Sequence, residues 1–183
     1  MNTLKLKPTT NQTKKGFTII EVVLVLAIAG LIFLIVFIAL PALQRNQRDT
    51  RRKNDLSTFA SALQNYAANN RGRYPSTSGS TGGLVTSSNA PEVFQFATQY
   101  LDWLGHRQAR EDKGFVDPST SEGYAVFFAY PTESNVAAAS PDRMNYSTNY
   151  RCPEPASTLK YTANAISIWQ KLEGGGINCI DVR

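Results

Sequence analysis

The chain has 183 residues and a formal net charge of +5, room for one modest domain and an anchor. Lys5, Lys7, Lys14 and Lys15 fall in an acid-free opening of 16 residues, so the rest holds 15 basic against 14 acidic residues and its charge gives little argument for a polyanionic partner. Two cysteines and one histidine, with no C-x-x-C, exclude the common zinc clusters, and no motif joins a nucleophile to a base as an enzyme would require.

Residues 1–16 are polar, contain Pro8 and read as a processing segment rather than part of the fold. Lys14-Lys15-Gly16-Phe17-Thr18-Ile19-Ile20-Glu21 leads into Val22–Leu43, 22 residues without a charge. As a helix this run is about 33 Å long, close to the hydrocarbon thickness of a bilayer. The leader lysines place the N-terminus on the cytoplasmic side and everything after Leu43 outside. Glu21 is the one carboxylate inside this end of the segment. A charge there costs about 2.5–3.5 kcal/mol at a membrane-helix centre, so an ionisable residue in such a place is a functional candidate. A cleaved secretory signal would need a shorter apolar region followed by small residues, and a plain signal anchor leaves Glu21 unexplained.

This stretch resembles the class III signal of type IV prepilins and pseudopilins. The resemblance rests on Lys14, Lys15, Gly16, Phe17 and Glu21 and covers the leader and first helix. It implies cleavage between Gly16 and Phe17 by a prepilin peptidase, N-methylation of Phe17, and pairing of Glu21 with the terminal amine of a neighbouring subunit. It also implies assembly through an inner-membrane platform into a helical filament of this and other pilins. The chain is then first a single-pass membrane protein and afterwards part of an extracellular filament.

The helix is expected to continue over residues 44–71, where Leu56, Phe59, Leu63, Tyr66 and Asn70 recur every three or four positions with Ala60, Ala62 and Ala67 beside them. Gly72 suits its C-terminal cap and Pro75 stops it. Gly30 and Pro41 are helix breakers within the rod; Pro41 frees the Phe37 carbonyl and predicts a kink. In the family, breakers here accompany local unwinding in the filament. Arg45, Arg48, Arg51, Arg52 and Lys53 could meet nucleic-acid phosphates, but the interleaved Asp49 and Asp55 favour a solvated or inter-subunit face.

Residues 72–183 form the expected head. Residues 76–89 are a Ser/Thr/Gly loop; Asn89, Pro91 and Glu92 then open a second helix ending near 105–107, with Val93, Phe94, Ala97, Leu101 and Leu104 on its apolar face. His106, at its end, reads as a surface residue. Residues 112–123 are a polar loop whose Asp117–Gly123 pattern faintly suggests calcium, but the glutamate an EF-hand needs is replaced by Ala129. Residues 124–130 alternate as a strand. After a proline-containing loop, residues 160–163 form a short strand, and residues 165–173 and 177–182 a hairpin around Gly174-Gly175-Gly176. Cys152 and Cys179, both in the exported part, form a disulfide worth about 3–4 kcal/mol on the chain-entropy account. Leu172-Glu173-Gly174 and Cys179-Ile180-Asp181 also resemble the C-terminal ending of many pilins.

The expected architecture is α+β, the pilin fold. A long helix, half membrane-spanning and half amphipathic, packs on a small antiparallel sheet. The expected role is a structural filament subunit without cofactor, metal or catalytic residues. The alternatives are a minor pilin, a secretion or competence pseudopilin, or a pilus-borne adhesin or DNA receptor; an anchored enzyme lacks the necessary residues.

Overall fold

A computed structural model describes residues 16–77, 82–101, 115–129, 132–152 and 161–182. It divides into two compact units, Met1–Ala42 and Leu43–Arg183. Helix α1 (Ile19–Asn69) is uninterrupted, with Gly30 and Pro41 inside it. Its N-terminal half is the one stretch among the described residues long and apolar enough to cross a membrane. Its C-terminal half carries the amphipathic stripe: Leu56, Phe59 and Leu63 are wholly buried, and Ala60, Ala62 and Ala67 nearly so. The helix stops where Arg71 and Gly72 turn left-handed, and the Gly72 N–H donates to the Ala67 carbonyl at 2.7 Å.

The sheet has five strands, β1 (Gly83–Leu84), β2 (Ala125–Phe128), β3 (Arg143–Tyr150), β4 (Tyr161–Lys171) and β5 (Ile177–Val182), lying in sequence order. It is mixed, which corrects the antiparallel expectation: β2 and β3 run parallel, with Val126 opposite Met144 and Phe128 opposite Tyr146. A parallel pair needs a long crossover, and residues 129–142 supply one through helix α3 (Glu133–Ala138). The expected loop before residue 160 therefore contains a central strand, β3. The two strands expected at 160–163 and 165–173 are one, β4, interrupted by a bulge.

One face of the sheet presents Val126, Phe128, Met144, Tyr146, Ile166, Ile168 and Val182, and these join the α1 stripe in the core. Helix α2 (Pro91–Tyr100) completes it through Val93, Phe96 and Ala97. Its Phe96 ring stacks 5.7 Å from Phe59, and Tyr66 meets Phe96 edge-on at 5.6 Å. Each such side chain removed from water contributes about 1.5–3 kcal/mol, so this layer supplies most of the driving force.

Two local expectations change. The N-cap of α2 is Ala90 and makes no side-chain bond; Asn89 instead accepts from the Thr86 N–H at 2.8 Å and donates to the Leu84 carbonyl at 2.7 Å. The helix also ends at Tyr100; Leu104, the expected end at 105–107 and His106 lie outside the described residues. In the β4–β5 turn, Gly175 and Gly176 take φ values of 95° and 79°, which glycine adopts without strain. Cys152 and Cys179 are joined as a disulfide, and the Asp181 carboxylate accepts from the Cys152 N–H at 2.8 Å. Both tie strand β5, a sheet edge, to the segment following β3.

Candidate functional site

In the first unit, Gly16, Phe17 and Thr18 precede the helix. No heavy atom beyond its chain neighbours lies within 4 Å of where a Gly16 side chain would start, and Phe17 is 86% exposed. The peptide bond between them is open to solvent. Thr18 caps α1: its carbonyl accepts from the N–H groups of Glu21 and Val22 at 3.1 and 3.3 Å, and its Oγ1 lies 3.4 Å from the Glu21 nitrogen. Thr18-x-x-Glu21 thus has the spacing of a capping box, with a carboxylate at the positive end of the helix dipole. Beyond it, large apolar side chains from Val22 to Leu43 stand exposed all round the helix. A surface of that extent is stable only against lipid or other apolar helices. Lys14 and Lys15 lie outside the described residues.

In the second unit the basic cluster, expected as a solvated or inter-subunit face, divides. Arg45, Arg51 and Lys53 are exposed, but Arg52 is wholly buried and Arg48 is half-buried. The Arg52 guanidinium donates through Nε to Asp117 Oδ2 at 2.7 Å and through Nη2 to Asp117 Oδ1 at 3.1 Å and Ser119 Oγ at 3.0 Å. Its Nη1 reaches Asp49 Oδ1 at 3.2 Å and Glu173 Oε1 at 2.6 Å. Arg48 clamps Glu173 from the other side, Nη2 to Oε2 at 2.7 Å. Asp49 accepts from the Glu173 and Gly174 N–H groups at 2.9 and 2.8 Å, and a Cβ on Gly174 would lie 3.1 Å from that carboxylate. A side chain at Gly174 would therefore have to shift the Asp49 carboxylate by a few tenths of an ångström.

Asp117, the head of the faint calcium pattern, spends both oxygens on Arg52 and also accepts from the Ser119 and Thr120 N–H groups and the Ser119 hydroxyl. Among the described residues no group of three His, Cys, Asp or Glu side chains could hold a metal ion. The electrostatics follow from these contacts. Burial works against the Arg52 charge, but hydrogen bonds to Asp117 and Glu173 outweigh it and raise its pKa. Burial pushes Asp117 up, and the Arg52 and Ser119 bonds bring it below its usual value. The Arg48 bond holds Glu173 low against a smaller burial effect, with Arg52 assisting. Asp55 goes the other way: burial raises it, although its Oδ2 accepts from the Tyr124 hydroxyl at 2.7 Å.

Arg48 and Arg52 are thus committed to the fold, and the functional candidates that remain lie at the start of α1. Residues 11–37 match the family model described as the prokaryotic N-terminal methylation motif, the class III signal of type IV pilins. Comparisons with curated proteins and with solved structures return no match.

Two outcomes follow for the charged cluster. Arg52→Ala leaves Asp117 buried without its cation and is expected to cost about 3–5 kcal/mol in chemical denaturation, whereas Arg45→Ala is expected to stay within about 0.5 kcal/mol. Asp117 and Glu173 have folded-state pKa values below their unfolded ones, so their contribution is present above the unfolded carboxylate range, near pH 4, and is lost as pH falls through the folded values. Asp55, raised on folding, contributes in the opposite sense. With two groups against one, the unfolding midpoint should fall on acidification below about pH 4, and Glu173→Gln should flatten that slope while lowering stability at neutral pH. An unchanged acid slope in the variant would show that Glu173 carries none of it.

Proposed function

We propose that this chain, which carries the N-terminal methylation motif of type IV pilins, is a structural subunit of a type IV pilus or a related filament. The motif supports a pilin-like or pseudopilin precursor. The observation that carries the finer reading is an apolar helix, exposed on every side, that begins directly behind an accessible Gly16–Phe17 bond. A prepilin peptidase cuts that bond and Phe17 becomes an N-methylated terminus. Before assembly the helix crosses the cell membrane; afterwards it packs against the same segment of other subunits, with the assembly platform in the inner membrane moving it from one to the other. Both surroundings are apolar, so one side-chain composition serves both.

In this reading Glu21 pairs with the terminal amine of a neighbouring copy. A bare carboxylate among packed apolar helices is costly, and a paired one far less so. Docking in any other register leaves the charge unpaired, which selects the correct one. The exported location suits the Cys152–Cys179 disulfide. Nucleic acid is a weaker candidate partner, because Arg48 and Arg52 are occupied within the fold. The head has no assigned catalytic role.

Intact-mass and N-terminal analysis of protein sheared from the cell surface, without reduction, tests processing. A chain that starts at Phe17, one methyl heavier and two hydrogens lighter than its sequence, supports the reading. Protein that retains residues 1–16 and is found only in membranes sinks it. Glu21→Ala and Glu21→Gln separate charge pairing from helix capping, since glutamine also serves a capping box. Both variants should be processed yet remain in the membrane. Normal filament yield from Glu21→Gln would assign Glu21 to the cap alone.

A further inference from the structure

The β3–β4 ladder breaks its register beside a cleft. Thr148 pairs with Ile166 and Tyr150 with Tyr161, so Asn149 faces the four residues 162–165 of β4. Asn149 and Asn164 both adopt left-handed backbone, φ 63° and 62°, and the Asn164 N–H donates to Asn149 Oδ1 at 3.0 Å. They are two of the four non-glycine residues with positive φ among those described. Backbone held in this region away from a tight turn is a pointer to function. Against the bulge lies a cleft of about 520 Å³, lined by Arg73, Ser76, Thr77, Thr148, Asn149 and Asn164, with Tyr74 as its half-buried aromatic side chain. A smaller cleft of about 210 Å³, lined also by Arg151 and Asp181, shares Asn164 and Ile166.

One wall is tied down: the Tyr146 hydroxyl donates to the Pro75 carbonyl at 2.9 Å, and the Glu92 carboxylate accepts from the Ser76 N–H at 2.7 Å. Backbone held in place before binding loses little entropy on binding. Among the described residues the cleft's lining holds one cation with hydroxyl and amide groups, and the Glu92 carboxylate lies behind Ser76; Arg73 is exposed and has no ion pair among the described residues. One guanidinium among neutral donors and acceptors matches a ligand rich in hydroxyls with an occasional carboxylate. A nucleic-acid strand places a charge on every residue and calls for a run of cations, which this lining does not offer.

We propose that this cleft binds a carboxylated oligosaccharide. The Arg73 guanidinium takes the sugar carboxylate, Thr77, Thr148 and the Asn164 amide take ring hydroxyls, and the half-buried Tyr74 ring meets a C–H face. The site lies within the globular unit. Calorimetric titration of the full chain in detergent micelles tests it, with trigalacturonate and 3′-sialyllactose as probes, maltotriose as the neutral sugar and a ten-residue oligothymidylate as the nucleic acid. Either acidic sugar should bind more tightly than maltotriose. Arg73→Ala should weaken that binding about tenfold or more, and Asn164→Gly, which keeps the left-handed backbone, should weaken it severalfold with an unchanged thermal midpoint. Binding of neither acidic sugar, full binding by Arg73→Ala, or tighter binding of the oligothymidylate would each overturn the proposal.

Discussion

A wholly buried guanidinium is the constraint on which the globular unit depends. Taking Arg52 out of water costs several kcal/mol, and the cost is offset only where its donors find acceptors in good geometry. Here Nε, Nη1 and Nη2 all do, on Asp49, Asp117, Ser119 and Glu173. Those acceptors come from α1 itself, from the loop before β2 and from the β4–β5 turn. The charge therefore requires three segments far apart in sequence to meet at one point on the helix. Replacing such a cluster by apolar side chains can leave stability unchanged, so its weight lies in specification. The apolar stripe tolerates small rotations or slips of α1 across the sheet, whereas a fork of fixed donors tolerates neither. Gly174 belongs to the same device, since a side chain there would crowd the Asp49 carboxylate that holds the turn.

The two halves of α1 meet opposite demands. From Leu56 to Ala67 the helix is apolar on one side, and the core covers that side. From Val22 to Leu43 it is apolar on all sides, and within its own unit nothing covers it. A helix of the second kind carries no information about rotation, because every face is equivalent to a lipid tail. Orientation has to come from groups that are not apolar, and between Phe17 and Leu43 Glu21 is the only charge. The one charged side chain between Phe17 and Leu43 and the wholly buried Arg52–Asp117 pair in the head thus solve the same problem. Each supplies direction where hydrophobic burial supplies only adhesion.

What the sequence discloses divides along the range of the interactions. The long helix, its stripe, its glycine stop and the β4–β5 hairpin were all legible, because each rests on periodicity or turn chemistry within a few residues. Strand β3 was not. Arg143–Tyr150 mixes Asn, Ser and Thr with two aromatics, and its buried polar side chains are satisfied from afar: Ser147 donates to the Ala129 carbonyl, which also accepts from Trp169 of β4, and Asn145 donates to the Trp169 carbonyl. No local pattern announces such partners. The parallel pairing of β2 with β3 is likewise decided by the crossover through α3. Arg52 misled for the same reason. Its close neighbours Asp49 and Asp55 suggest a solvated charged surface, while the partner that decides its burial, Asp117, lies 65 positions away. At the N-terminus the reverse holds: the whole candidate site spans residues 14–21, and a motif of that length is read directly.

The geometry at Thr18 sharpens the question of why a carboxylate stands at position 21. A capping box and a helix dipole each favour an acidic side chain there, the dipole by about 0.3–1 kcal/mol at an exposed terminus. Glutamine satisfies the box as well as glutamate does. In an apolar surrounding the desolvation of a carboxylate, several kcal/mol, exceeds that gain, so helix capping alone would favour the neutral residue. A charge is retained only where a cation approaches it. No basic side chain lies between Phe17 and Leu43, so in the proposed filament the cation has to be an amine exposed by cutting before Phe17. Cleavage and the acidic residue are then two parts of one requirement. Without the cut there is no amine at that depth, and without the amine Glu21 is a liability among packed apolar helices.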